Sequence, residues 1–143
     1  MKYLFAECNN LINIEFNETF DTSHVQCMSH MFYRCDNLIN INVSSFNTSL
    51  VGDMESMFNS LSSLTSLNIS NFDTKKAPHL YTIFSGSKLL SFIDISSFNT
   101  SHIYSFSGEF SGVAPFGTII VQDEKGHLNS MIPKNWTIIY KNY

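Results

Sequence analysis

Charge is scarce in this sequence. Asp, Glu, Lys and Arg make up only 14% of the 143 residues, where roughly a quarter is usual. The net charge of −4 is spread along the chain without runs. That excludes the basic stripe on which nucleic-acid binding relies. No apolar run approaches the ~20 residues of a membrane-spanning helix, so no membrane insertion by this segment is expected. Three cysteines are an odd count, and a chain of this size needs no disulfide framework. The opening "MKYLFAECNN" has neither the apolar core nor the small-residue cleavage site of a signal peptide. There is no G-x-S-x-G, no H-E-x-x-H, no glycine-rich phosphate loop and no Cys-His pair with an orienting acid. The sequence predicts no enzyme and no cofactor.

What is present is a globular composition, 43% hydrophobic, with 13 phenylalanines. The length suits one domain with a sizeable core. With so little charge, the polar surface falls to Ser, Thr and Asn.

The chain repeats itself. "FDT" at 20–22 returns as "FNT" at 46–48, "FDT" at 72–74 and "FNT" at 98–100, a step of 26 residues each time. Ahead of it runs an apolar pattern: Leu11-x-x-Ile14-x-Phe16, Leu38-x-x-Ile41-x-Val43, Leu64-x-x-Leu67-x-Ile69 and Leu90-x-x-Ile93-x-Ile95. Its first step is 27, because "NET" at 17–19 holds one residue more than "SS" at 44–45. A fifth copy survives as Phe116-x-x-Ile119-x-Val121. After each "F-[DN]-T" comes a second apolar pattern: Val25, Met28, Met31, Phe32, then Val51, Met54, Met57, Phe58, then Ala77, Leu80, Ile83, Phe84. The fourth version is weaker, with Ile103, Phe106 and Phe110, and Glu109 where Met or Ile stood.

The first pattern alternates, as in a half-buried strand. The second has spacings of three and four, as on one helix face. Pro78 and Asp53 suit a helix N-terminus. The expectation is an α/β repeat of one short parallel strand and one short helix, stacked as a leucine-rich-repeat-like solenoid. The solenoid covers 1–121, with four good copies and a partial fifth strand. Residues 122–143 form a C-terminal capping segment of the same single domain. It should hold a strand at 118–121, a short helix near 123–131 and a closing strand at 136–140.

"LNISNFDT" (67–74), "MSHMFYRCDNL" (28–38) and "MESMF" (54–58) resemble the BspA-like leucine-rich repeat surface proteins, and are similar to mycoplasma lipoprotein repeats. The resemblance covers roughly 1–121. It implies a bacterial or protist surface protein, at the cell surface or secreted, that binds other proteins or cells. Repeat scaffolds host many roles, so it bears on fold more than on function. No signal peptide of the kind such proteins carry is expected in the opening residues, where Met1, Leu4, Phe5 and Cys8 align with Met28, Met31, Phe32 and Cys35, inside a repeat.

"FDTSHVQCMSHMF" (20–32) places His24, Cys27 and His30 three apart. The same positions are Leu50, Asp53 and Ser56 one repeat on, and Lys76, His79 and Thr82 after that. The apolar positions persist while these change, as solvent-facing positions do. Structural zinc wants four ligands, so no metal is expected. Cys8 and Cys35 share a phase in neighbouring repeats. Stacking allows them a disulfide, and equally two buried free thiols filling the column that Leu61 fills later. The thiols are preferred, because buried Cys packs as a small hydrophobe. Met28, Met31, Met54 and Met57 share their phase with Leu80 and Ile83, which makes them core. Six N-x-[ST] triplets, at Asn17, Asn42, Asn47, Asn68, Asn99 and Asn135, arise from the repeat itself, so no glycosylation is inferred.

The outward strand positions line up as Asn13, Asn40, Ser66, Phe92 and as Glu15, Asn42, Asn68, Asp94. These are the candidate binding residues, polar to mildly acidic with one aromatic. A protein or glycan partner suits them better than an anion. Self-association through an open N-terminal edge is a further expectation. The competing readings are an enzyme accessory domain built on Asp123, Glu124, His127 and Trp136, and a structural fragment without autonomous function.

Overall fold

The computed structural model describes residues 1–99, 108–122 and 130–141. It contains six short strands: β1 (Asn13–Glu15), β2 (Asn40–Asn42), β3 (Ser66–Asn68), β4 (Phe92–Asp94), β5 (Gly117–Val121) and β6 (Trp136–Tyr140). Every strand pairing is parallel. Ile14 lies opposite Ile41, Leu67 opposite Ile93, and Ile93 opposite Ile119, so the pairing follows the repeat. The middle residue of each short strand turns inward and its neighbours outward, as period-2 alternation requires.

The strands form two sheets, β1–β2 and β3–β4–β5–β6, rather than one. Between β2 and β3 side chains replace the ladder. Asn71 Nδ2 donates to the carbonyls of Val43, Ser44 and Phe46 at 3.1–3.3 Å. The two tail strands fall where the sequence places them, and β6 continues the sheet beyond β5. The helix expected near 123–131 lies mainly outside the described residues, as do Ile103 and Phe106.

The expected helices are absent among the described residues. Each Val-x-x-Met-x-x-Met-Phe stretch is instead a ribbon of overlapping turns. In the second copy Met31 N–H returns to Met28 O, Tyr33 N–H to His30 O and Cys35 N–H to Phe32 O. The intervening amides point sideways. Met28 N–H reaches Asp53 O at 2.9 Å, His30 reaches Glu55, Phe32 reaches Met57 and Arg34 reaches Asn59. The next repeats do the same, from Ser56, Phe58 and Ser60 to Tyr81, Ile83 and Ser85. A helix would direct all these amides along its own axis. Two positions per ribbon also take left-handed φ, among them His30 (57°), Arg34 (56°), Ser56 (53°), Ser60 (58°), Thr82 (51°), Gly86 (74°), Gly108 (75°) and Gly112 (72°). A left-handed residue every fourth position breaks any right-handed helix. The spacing of three and four survives because each turn still brings its apolar side chains to one face.

That face is the core. Met28, Met31, Phe32, Met54, Met57 and Phe58 are fully buried and join Leu67, Ile69, Ile93 and Ile119 of the strands in one cluster. Two phenylalanine spines run through it. Phe5, Phe32 and Phe58 stack at 5.5 and 5.8 Å with ring planes 9° apart. Phe20, Phe46 and Phe72 stack at 5.7 and 6.4 Å. These separations suit offset aromatic pairs. Phe116 departs from its expected place: its alignment mates Leu11, Leu38, Leu64 and Leu90 lean inward, but it stands 68% exposed.

The threonine of each "F-[DN]-T" ties one repeat to the next. Thr48 Oγ1 donates to Asp73 O at 3.1 Å and accepts from Asp73 N–H at 2.7 Å. Thr22 does this for Asn47, and Thr74 for Asn99. All three threonines are buried. The Asx residue beside each threonine works within its own turn: Asp21, Asn47 and Asp73 Oδ1 accept from the N–H of Ser23, Ser49 and Lys75.

Two substitutions test this architecture. Thr48→Val keeps the shape and strands two buried backbone groups, so urea denaturation should show a loss of about 1–3 kcal/mol. Arg34→Gly distinguishes ribbon from helix. In the ribbon it relieves a left-handed residue and should stabilise by up to about 1 kcal/mol, whereas in a helix interior it would destabilise by about as much.

Candidate binding surface

The strand face presents Asn13, Glu15, Asn40, Asn42, Ser66 and Asn68 as exposed side chains. Phe92 is 37% exposed and Asp94 half-buried. Register brings Asn13 beside Asn40, Glu15 beside Asn42, Ser66 beside Phe92 and Asn68 beside Asp94. The two expected columns are therefore real within each sheet and interrupted between β2 and β3.

The columns differ in what their side chains already do. Asn42 Oδ1 accepts Ser44 N–H at 3.1 Å, Asn68 Oδ1 accepts Ser70 N–H at 3.0 Å and Asp94 Oδ1 accepts Ser96 N–H at 3.0 Å. Each closes the turn that leads its strand out, a usual role for Asx side chains. The other column carries no such duty. Asn40 Nδ2 donates to Asn13 Oδ1 at 2.7 Å across the pair, an exposed bond between neighbouring outward side chains. Asn13, Asn40, Ser66 and Phe92 thus close no turn of their own.

Sequence reasoning missed the apolar rim beside this column. Ile12 and Ile39 are half exposed just before β1 and β2. Leu89 and Phe116 are more exposed still, ahead of β4 and β5. Comparing the position before each strand would have found the isoleucines, because Ile12 and Ile39 give way to Thr65 and Ser91.

His24, Cys27 and His30 go separate ways. His24 is exposed, with Nδ1 2.9 Å from Ser23 Oγ. Cys27 Sγ lies 3.2 Å from Ser29 Oγ and donates to Asp53 Oδ2 at 3.5 Å. The His30 ring sits between Tyr3 (4.6 Å) and Tyr33 (5.4 Å). No group of three metal-ligating side chains converges among the described residues. Beside them, Asp21 is held below its ordinary carboxyl range, first by the Ser23 N–H.

Cys8, Cys27 and Cys35 are free thiols. Cys35 Sγ donates to Phe5 O at 3.0 Å. Ser87, two repeats on, donates to Phe58 O at 2.9 Å in the same way. The column therefore ties turns together besides filling space, which Leu61 cannot do. Burial pushes the Cys35 thiol up to about 11. In the tail, Trp136 is buried, and its Nε1 donates to Ala114 O at 2.9 Å. It belongs to the core that closes over Phe110. Asp123, Glu124 and His127 lie outside the described residues.

The family model described as "Mycoplasma protein of unknown function, DUF285" matches residues 1–122. The chain belongs to that family. No curated protein and no solved structure matches it. The DUF285 match thus covers all the strand-face candidates from Asn13 to Asp94.

The Cys35 thiol gives a test by pH. Its folded-state value is raised from 9.0 to about 11, so its contribution is present below pH 9 and is lost as pH rises toward 11. Chemical denaturation of the parent should show a decline across that window beyond the decline of Cys35→Ser. Parallel curves would mean the thiol is not held neutral by the core.

Proposed function

We propose that the chain is a non-enzymatic binding module. Its coils wind as a leucine-rich-repeat-like solenoid, and the outward strand column recognises a protein or glycan partner. One observation carries this reading: Asn13, Asn40, Ser66 and Phe92 stand exposed, paired at strand spacing within each sheet, without closing turns of their own. A regular array of short polar side chains beside one aromatic offers hydrogen bonds and a stacking surface at repeat distance. Solenoids use such extended faces for recognition.

The resemblance to BspA-like surface proteins, together with the family's Mycoplasma description, supports a place at the cell surface and a part in adhesion. The weak charge of the face argues for hydrogen bonding and apolar contact rather than steering by long-range fields.

The test is a set of substitutions on the free column. Asn40→Arg with Ser66→Arg, and separately Phe92→Ala, should weaken binding at least tenfold. Binding would be measured to an immobilised glycan panel and to extracted cell-surface proteins. Far-ultraviolet dichroism and melting should stay as in the parent, since no turn is touched. Undiminished binding by both variants would rule the column out.

A further inference from the structure

The ribbon has a direction. From repeat to repeat its sideways amides donate forward and its carbonyls accept from behind. Tyr3, Phe5 and Glu7 N–H donate to Ser29, Met31 and Tyr33 O at 2.7–3.1 Å. His30, Phe32 and Arg34 donate to Glu55, Met57 and Asn59, and Phe84 and Gly86 donate to Glu109 and Ser111. The carbonyls of Lys2, Leu4 and Ala6 hold the places of Ser29, Met31 and Tyr33 in the first ribbon. By that register they face away from the second ribbon, and no donor among the described residues reaches them.

The same face is apolar. Met1 is 36% and Leu4 48% exposed, while their column mates Met28, Met31, Met54 and Met57 are at 0%. Phe16 and Phe20 are only partly buried and line an open hollow of about 290 Å³ with Glu15 and Asn17. β1 has a partner on one edge only. An apolar patch rimmed by an unpaired strand edge marks a docking face.

We propose that this face docks a coil of the same 26-residue repeat, head to tail, and does not pair with a copy of itself about a two-fold axis. The polarity decides between them. A two-fold arrangement sets one row of carbonyls against another and leaves both without donors, at the cost of burying unsatisfied groups. A coil of this repeat brings a donor row at every second residue. It also brings an apolar face of matching spacing and a parallel strand for β1. That is how every interior ribbon is already covered. This goes beyond the strand-face reading and does not rest on it.

The probe is a synthetic peptide of residues 23–48, added to the full chain. A control peptide is N-methylated at His30, Phe32 and Arg34. The unmodified peptide should bind one per chain, saturably, and slow amide exchange at Asn13 and Glu15, whose backbone lies on the unpaired edge of β1. The methylated peptide should bind about a hundredfold more weakly, from three lost hydrogen bonds. Leu4→Lys, a change at an exposed position, should remove binding and leave the melting temperature of the free chain unchanged. Absence of peptide binding, or equal binding of the methylated peptide, would overturn the proposal. So would sedimentation showing a dimer of the free chain that Leu4→Lys abolishes.

Discussion

The structure depends on where alternate backbone amides point. In each ribbon one N–H closes a local turn and the next crosses to the following repeat. A buried backbone that sends half its donors sideways must have a neighbour at the right distance to receive them. That requirement fixes the repeat length, the parallel direction of the strands and the alignment of the phenylalanine spines. Hydrophobic burial supplies most of the driving force, but it is non-directional and would tolerate many arrangements of Met, Phe and Ile. The lateral bonds select one.

The polar side chains reinforce the same direction. Thr22, Thr48 and Thr74 each give and take one hydrogen bond with the following repeat. Cys35 and Ser87 reach back to a phenylalanine carbonyl of the preceding one. Buried polar groups in a chain this poor in charge are spent on binding neighbouring coils. The outward column is left short, uncharged and regular, and the functional reading rests on it.

The sequence made much of this legible. The 26-residue step, the alternation around Ile41 or Leu67 and the inward phase of Met28, Met31 and Phe32 all locate real elements. The ribbon was misread as a helix because spacing of three and four is shared by any chain path that turns one face inward. What separates the two is φ at His30, Arg34, Ser56 and Ser60, and none of these residues is a glycine that would announce it. Gly86, Gly108 and Gly112 do mark the left-handed positions, and their alignment with Ser60, Thr82 and Gly86 was the available signal. Within the candidate surface, side-chain period 2 gives the outward positions directly. It does not tell Asn40 from Asn42, because that difference lies in whether the following serine N–H is in reach.

The gap between β2 and β3 has a mechanical meaning. On the ribbon side Met28, His30, Phe32 and Arg34 bind the third repeat as tightly as any other pair is bound. On the strand side the bonds that span the division among the described residues all run through side chains: Ser62 and Ser63 to Asp36, Thr48 with Asp73, and Asn71 to Val43, Ser44 and Phe46. A stack joined by backbone bonds along one flank and by side chains alone on the other yields there first, opening toward the side-chain flank. The curvature of the strand face can therefore adjust between Asn42 and Ser66 while each sheet keeps its own register.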